Sequence, residues 1–250
     1  AQQVRALERD LGLTLFHRQA RGLGLTELGR TYHDPIRRAL ALIDDATSKL
    51  RPDGARVTLS VPPSLATKWL VPRLAAFSLA HPEVDLETVA SESIANFQSD
   101  GIDLAIRQGR PRDEAGLQSQ LLAYLDLHAV CGPGLAKTLP PFNGIADFAA
   151  MNLIQDSHGF WERLLEQAGL STRGRVVQFN QTALAMDAAA NEQGIALAPR
   201  LLLDEDLARG RLTVLWRVPN TDDAGYYIVG PLSRALQPAR DLVWDWIVSE

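Results

Sequence analysis

The chain has very little cysteine, since Cys131 is the only one among its 250 residues. A single thiol cannot form an intrachain disulfide, which excludes a disulfide-stabilised secreted scaffold and favours a reducing compartment, the cytoplasm. No apolar run is long enough to span a bilayer, and no signal peptide, internal repeat or low-complexity tract is visible. We therefore expect a globular protein that does not associate with membranes.

Catalytic and metal-binding signatures are also missing. The five histidines are scattered, and no nucleophile-elbow arrangement of serine, histidine and acid is present. His128 and Cys131 are three residues apart, but no second ligand pair follows, so we predict no zinc site and expect Cys131 to be buried on a strand. The sequence Asp156-Ser157-His158 has the residue types of a triad, but triad members usually converge from distant segments. We predict no enzymatic activity, no metal and no cofactor.

Charge is unevenly distributed along the chain. Residues 1–51 hold nine Lys and Arg against six Asp and Glu, whereas residues 52–250 hold 16 against 24. A mildly basic head on an acidic body is typical of a polyanion-binding segment joined to a second module. An excess this small is also compatible with ordinary fluctuation in charge.

The first eleven residues predict an amphipathic helix that ends at Gly12, where a left-handed helix stop is expected. Its apolar residues recur at helical spacing: Val4, Leu7 and Leu11. Three polar residues lie off that stripe and could pair with base edges in the major groove of DNA: Gln2, Gln3 and Arg5. On pattern alone, a solvated amphipathic helix with no partner is an equal alternative.

A short basic hairpin is predicted next. Leucines and glycines alternate over residues 22–25, and Arg18 and Arg21 lie around the turn, where they would contact phosphates or a narrow minor groove. Thr26 then offers a side-chain cap for a new helix. A helix followed by a basic hairpin and another helix is the order found in a winged helix-turn-helix.

This opening segment resembles a known family over QQVRALERDLGLTLFHR and GLGLTELGR. Both stretches are similar to the LysR-type transcriptional regulators, in which a Gln-x-Ile/Val-x-x-Leu-Glu helix precedes Leu-Gly-x-x-Leu-Phe-x-Arg and Leu-Thr-x-x-Gly. The similarity extends to the branch of the glycine-cleavage activator and the beta-lactamase regulator through TKWLVPRLAAFSLAHPEVDLETVAS, GIDLAIRQGR, ALAMDAAANEQGIALAP and DLARGRL. Family members carry about two further helices before this point, so the resemblance implies that residues 1–26 are part of a winged helix-turn-helix in an N-terminally truncated chain.

Residues 27–51 predict a long linker helix. Its apolar positions alternate in steps of four and three and form a short coiled-coil-like seam: Ile36, Leu40, Ile43, Thr47 and Leu50. Such a seam usually pairs with its own copy, and the resemblance implies a dimerisation helix, although a helix packed on its own chain is the alternative. Pro35 either kinks one continuous helix, which we prefer, or opens a second helix capped by Asp34. The composition of residues 51–54 indicates a hinge.

Strand and helix patterns then alternate in two sets, which predicts parallel sheets covered by helices. Strands are predicted at 57–61, 84–89, 103–107, 127–131, 153–155, 176–179, 195–197 and 226–229, and helices at 64–79, around 161–165, at 184–191 and at 240–248. Two sets suggest two lobes with a cleft. The resemblance identifies residues 52–250 as a periplasmic-binding-protein-like effector domain, with one lobe at about 56–126 plus 229–250 and the other at about 127–228. The predicted fold class is α/β.

Polar residues follow several of the predicted strands. Open α/β sheets bind ligands beyond the carboxyl ends of their strands and at helix N-termini, where N–H groups and hydroxyls could hold a small anion. The candidate effector-binding residues are Ser64, Ser91, Ser93, Arg107, Gln108, Gly109, Asn180 and Thr182. The resemblance implies an inducer pocket near the positions of Ser64, Ser93, Arg107 and Thr182. Taken singly, each of these residues is better explained as a helix cap without a ligand, and Arg107 could instead be half of a structural ion pair.

The leading hypothesis is a transcription regulator that self-associates as a dimer or tetramer. It would bind double-stranded promoter DNA in its full-length form and sense a small carboxylate or amino-acid-like metabolite in the cleft. A two-lobed solute-binding protein without a DNA-binding role is the alternative, but the wing and the seam disfavour it. An enzyme with a regulatory head is a third possibility, for which no catalytic constellation is present.

Overall fold

The computed structural model describes residues 2–19, 22–48, 55–93, 95–97, 100–110, 115–219, 223–232 and 237–250. Three elements of the sequence prediction lie outside these residues: Arg21 of the wing, Leu50 of the seam and the hinge at 51–54. Within the described part of the chain, no helix is both long enough and apolar enough to cross a membrane.

The head contains the predicted helix, hairpin and linker. Helix α1 (Gln2–Leu11) ends at Gly12, whose φ of 66° is left-handed, and strands β1 (Phe16–Gln19) and β2 (Gly22–Leu25) form an antiparallel hairpin. Helix α2 (Glu27–Ser48) follows, and its Gly29 N–H donates to Thr26 Oγ1 at 2.9 Å, which confirms the predicted cap. Pro35 lies inside α2, so the prediction of one continuous helix is also confirmed.

Five strands form a first sheet in the order β4-β3-β5-β12-β6. Their bounds are Ala55–Val61 (β3), Val84–Ala90 (β4), Leu104–Gly109 (β5), Leu117–Tyr124 (β6) and Gly225–Pro231 (β12). Strands β4 and β5 run parallel to β3, whereas β12 is antiparallel to both β5 and β6. The first lobe is therefore built partly from a segment near the end of the chain.

Five further strands form a second sheet in the order β11-β7-β10-β8-β9. Their bounds are Leu127–Cys131 (β7), Leu153–Gln155 (β8), Val176–Gln178 (β9), Ile195–Pro199 (β10) and Thr213–Arg217 (β11). Strand β8 is parallel to β9 and β10, whereas β7 is antiparallel to β10 and β11.

These sheets correct the sequence prediction in three respects. Both are mixed rather than parallel. In the first sheet the chain returns as β12, antiparallel to its neighbours, and in the second sheet β7 is antiparallel to β10 and β11. Strands β6 and β11 were not predicted, since neither has a regular alternation of buried and exposed residues. The predicted lobe boundary at residue 228 falls inside β12, which lies wholly in the first sheet, so the chain re-enters the first lobe before Gly225.

Helices cover both sheets. Their bounds are Pro63–Leu65 (α3), Val71–Ala80 (α4), Pro133–Ala136 (α5), Phe160–Gln167 (α6), Thr182–Ala190 (α7), Asp204–Ala208 (α8) and Pro238–Ser249 (α9). A π-helical segment (Ala66–Leu70) joins α3 to α4, and short 3-10 turns lie at Ile145–Phe148 and Arg200–Leu202.

Two apolar clusters hold the fold together. One is confined to the second lobe and centres on Phe148, Trp161 and Leu165, which are at most 1% exposed. The other joins residues of both lobes, for example Leu65 and Trp69 from the first and Met186 from α7 in the second. Because burial of apolar area contributes roughly 25 cal/mol per Å², this shared cluster holds α7 against the first lobe.

Candidate functional site

Helix α1 presents polar side chains and is tied to the wing by an acid. Glu8 Oε1 accepts the backbone N–H groups of Leu15 and Phe16 at 2.8 and 3.0 Å, which fixes the angle between helix and hairpin. Gln3 and Arg5 are exposed, as expected for residues that contact a partner. Gln2 lies in the first turn of α1 and Arg18 lies on β1, opposite Leu23.

The seam of α2 is open to solvent. Ile36, Leu40 and Ile43 are 40%, 61% and 63% exposed within the part of the chain that the structure describes. Thr47 lies in the last turn of the helix. The exposed stripe of branched apolar side chains is the feature that a coiled-coil partner would bury.

The two lobes meet at the N-terminus of α7. Ser64, which follows β3, accepts the backbone N–H of Ala183 at 3.0 Å, and this hydrogen bond crosses from one lobe to the other. Thr182 donates its hydroxyl to Asp156 Oδ2 at 2.5 Å, and Asp156 Oδ1 accepts the N–H of His158. Ser64, Thr182 and Asp156 are all less than 9% exposed, and we call this buried group at the junction of the lobes the cleft floor.

Asp156 and Tyr226 belong to this floor and were missed as candidates. Tyr226 lies on β12 of the first lobe and is 3% exposed. Burial, and secondly the charge of Asp156, raises the pKa of the Tyr226 phenol above its usual range, so the phenol stays protonated and can donate. Within the described residues no cation pairs with Asp156. The only sequence signal for Asp156 was the triad-like run Asp156-Ser157-His158, which we had not assigned to the effector site.

Arg107 has a structural role that differs from both sequence interpretations. Its guanidinium donates to the Ser60 carbonyl and hydroxyl at 3.0 and 2.7 Å, to the Ser93 carbonyl twice, and to the Ile106 carbonyl. These five contacts occupy its five N–H donors, and Arg107 has no ion pair with any carboxylate that the structure describes. Burial lowers its pKa from the ordinary value. Arg107 therefore holds the loop after β4 onto β3 and has no donor left for a ligand.

The remaining candidates lie around the floor rather than in it. Ser91 Oγ accepts the N–H of Ser93 at 3.1 Å, which closes a turn at the end of β4. Gln108 and Gly109 end β5, where they are paired with β12, and Asn180 is exposed while its carbonyl accepts the hydroxyl of Ser157. The structure thus brings Ser64 and Thr182 together and leaves the other polar candidates at more open positions.

An ion-pair network joins the lobes beside the cleft. Lys68, in the π-helical segment, donates to Asp187 at 2.8 Å and to Asp206 at 3.1 Å. Arg211 pairs with the same two carboxylates, at 3.0 Å to Asp187 and 2.8 Å to Asp206. Since Asp206 is only 5% exposed, loss of either cation would leave a poorly compensated buried charge.

Comparison with known proteins agrees with this architecture. A family model described as the LysR substrate binding domain matches residues 51–250. The glycine cleavage system transcriptional activator of Escherichia coli (strain K12) is 33% identical over 255 residues, covering 99% of this chain and 83% of that protein. The transcriptional activator AmpR of Providencia stuartii is 29% identical over 255 residues, covering 100% of this chain and 85% of that protein.

Solved structures share the fold. The AmpR effector binding domain from Citrobacter freundii has a TM-score of 0.62 at 22% identity and covers 78% of this chain and 96% of that domain. The full-length virulence activator AphB of Vibrio cholerae has a TM-score of 0.65 at 21% identity and covers 100% of this chain and 88% of that protein. The relatives are transcriptional regulators, which favours the regulator hypothesis over a solute-binding protein. Its sequence and its fold place this chain in the LysR family of DNA-binding transcriptional regulators with an effector-binding domain.

Proposed function

We propose that this regulator senses its effector at the floor of the cleft, where Ser64, Thr182, Asp156 and Tyr226 converge. The observation that carries the proposal is the hydrogen bond from Ala183 N–H to Ser64 Oγ, because it links the lobes through a group that a ligand could replace. A ligand that binds one cleft geometry more tightly than another shifts the population toward it. The effector would thereby set the angle between the lobes.

Charge at the floor defines the chemistry of the effector. Asp156 already lies at the N-terminus of α7 through its bond with Thr182, in the position where the helix dipole favours an anion. A ligand carboxylate at the same place would be repelled, and Arg107 has no free donor to compensate. We therefore propose that an ammonium group or other N–H or O–H donors of the effector face Asp156. An amino-acid-like metabolite meets this requirement, whereas a simple carboxylate does not.

A variant of the similar Citrobacter freundii domain supports the choice of hydroxyls. That protein contains three substitutions, a threonine to valine, a serine to alanine and a tyrosine to phenylalanine, each of which removes one hydroxyl. The first two substituted positions are as far apart in sequence as Ser64 and Thr182 are in this chain. The spacing from the second to the third position equals that from Thr182 to Tyr226 to within one residue. We therefore include the hydroxyls of Ser64, Thr182 and Tyr226 among the proposed effector contacts.

The signal would travel from the effector lobes to DNA through α2. Two copies pairing along Ile36, Leu40 and Ile43 would bury the exposed seam and form a dimer, which can associate further into a tetramer. Each head would then contact promoter DNA, with α1 in the major groove and the wing on the backbone. The proposed DNA contacts are Gln2, Gln3, Arg5, Arg18 and Arg21. We propose that the regulator acts in the cytoplasm and has no catalytic role.

A thermal-shift screen that compares cationic, zwitterionic and anionic metabolites tests the effector proposal. A ligand that binds only the folded state raises the stability of that state. Amino acids and amines should raise the melting temperature, and Asp156→Asn should weaken the best hit about 10- to 100-fold, since hydrogen bonds to a charged partner contribute roughly 1.5–3 kcal/mol. Ser119→Ala, at an exposed serine of β6, is the control and should leave the affinity unchanged. A hit that binds Asp156→Asn as tightly as the wild type would refute the assignment.

The DNA contacts are tested separately by measuring DNA affinity at several salt concentrations. Each phosphate contact that is removed reduces the slope of log K against log salt by roughly one unit. Arg18→Ala and Arg21→Ala should each flatten the slope by this amount and weaken binding to all sequences alike. Salt slopes equal to that of the wild type would exclude these two arginines as backbone contacts.

A further inference from the structure

A cavity of about 560 Å³ lies at the C-terminal end of α7, at the opposite end of the helix from Thr182. Pro133 and Ala190 supply apolar parts of its wall, and Asp187, Glu192 and Arg211 supply charge. This volume lies within the range of small-molecule sites, roughly 300–1,000 Å³. The proposed function makes no use of this cavity.

Glu192 occupies a position in this wall that normally takes glycine. Its N–H donates to the Ala189 carbonyl at 3.0 Å and the next N–H, of Gln193, donates to the Ala188 carbonyl at 3.1 Å, the pattern that ends a helix with a left-handed residue. Glu192 has a φ of 61° and is alone among the described non-glycine residues in having a positive φ. A side chain in that conformation is strained, and such departures from local rules cluster at functional positions.

The Glu192 residue is exposed, and among the described residues its carboxylate makes no hydrogen bond and no ion pair. It lies against Gly134, where a Cβ atom would be 2.0 Å from Glu192 Oε1, so a larger residue there would push the flexible end of the Glu192 side chain aside. It also lies beyond the C-terminus of α7, the negative end of the helix dipole, where cations are favoured and anions are not. Both features direct the site toward a cation.

The other charges of the wall are already balanced. Asp187 accepts hydrogen bonds from Lys68 and Arg211, and Arg211 is further paired with Asp206. These two cations and two carboxylates cancel, so Glu192 is the surplus negative charge. An anionic ligand would have to displace a carboxylate from Arg211, whereas a cationic ligand meets an unpaired partner.

We propose that this cavity is a second ligand site, which binds a small organic cation with a primary ammonium group. The ammonium group pairs with Glu192 at the end of α7, and its aliphatic part lies against Pro133 and Ala190. The site is independent of the proposed effector floor, since it shares no residue with it.

Calorimetric titration of the whole chain with n-butylammonium chloride and with 1,4-diaminobutane tests the proposal, with sodium butyrate and sodium chloride at equal ionic strength as charge controls. The ammonium compounds should bind saturably, and Glu192→Gln should weaken them at least about tenfold, the loss expected for one charge-assisted contact. Glu166→Gln, at an exposed glutamate of α6 that pairs with nothing in the described chain, should bind as the wild type does.

Two further variants keep the outcome clear. Glu192→Gly removes the carboxylate and the strain together, so it should melt at a higher temperature than the wild type while losing the ammonium response. Ser64→Ala should retain that response in full, which separates this site from the effector floor. The proposal is wrong if neither ammonium compound binds the wild type saturably, or if Glu192→Gln binds them with unchanged affinity.

Discussion

Replacing Arg107 by methionine should destabilise the folded chain substantially and leave ligand chemistry at the cleft floor intact. The guanidinium holds the carbonyl and the hydroxyl of Ser60, a residue of β3 with no exposed surface. Methionine keeps much of the side-chain volume but donates no hydrogen bond. The substitution therefore isolates the polar contribution of Arg107.

The magnitude follows from the number of buried acceptors left without a partner. Each costs about 1–3 kcal/mol, which gives roughly 2–6 kcal/mol for the two Ser60 oxygens. The two contacts with the Ser93 carbonyl are exposed and add little, and water can reach part of the vacated space because Arg107 itself is half-buried. We therefore expect a loss of about 2–4 kcal/mol in the free energy of unfolding.

Urea-induced unfolding of the wild type and of Arg107→Met measures this loss. Arg173→Met is the matched control, because Arg173 is exposed and its side chain makes no hydrogen bond or ion pair with another described residue. It should change the free energy of unfolding by less than about 0.5 kcal/mol. If Arg107→Met were as stable as Arg173→Met but no longer bound an effector, then Arg107 would be a ligand contact and the structural role given to it here would be wrong.

Two smaller predictions concern the core and the head. Burial, and secondly the charge of Glu192, raises the pKa of the Cys131 thiol to about 11. At pH 8 only about one thiol in a thousand is therefore ionised, and Ellman's reagent should react only after unfolding. Rapid reaction of the native protein would contradict this. Gly29→Ala should loosen the head by about 1–3 kcal/mol, because the added Cβ would lie 2.0 Å from the Leu15 carbonyl oxygen, and faster hydrogen exchange in residues 15–29 would report it. Gly144→Ala, where a Cβ meets nothing within 4 Å, is the control and should exchange as the wild type does.

The sequence predicted those elements whose pattern is local. Helix α1, the wing, the cap at Thr26 and the continuous α2 depend on spacing within a few residues, and all were found where expected. Strands β6 and β11 were missed because their burial does not alternate, since each packs irregularly at or near a sheet edge. The antiparallel insertion of β12 depends on a return of the chain over a long distance, which no local pattern encodes.

The candidate site was predicted only in part, for the same reason. Ser64 and Thr182 follow strand patterns and could be proposed from the sequence, but their neighbours Asp156 and Tyr226 are brought to the same floor by different segments of both lobes. The role of Arg107 depends on the loop at Ser93 folding back onto β3, which its place at a strand end does not reveal. The conformation of Glu192 could not be predicted either, because the left-handed residue after a helix is usually glycine and this chain has a glutamate there.

The central proposal is that the effector binds the hydroxyls at the cleft floor. Calorimetric titration of the best amino-acid or amine hit into the Ser64→Ala, Thr182→Val double variant tests it most directly. Both changes keep the side-chain volume nearly constant and remove one hydroxyl each from opposite lobes. Two lost hydrogen bonds of about 0.5–1.5 kcal/mol each predict an affinity roughly 5- to 150-fold weaker than that of the wild type. An unchanged dissociation constant in a variant that still folds would show that the effector binds elsewhere.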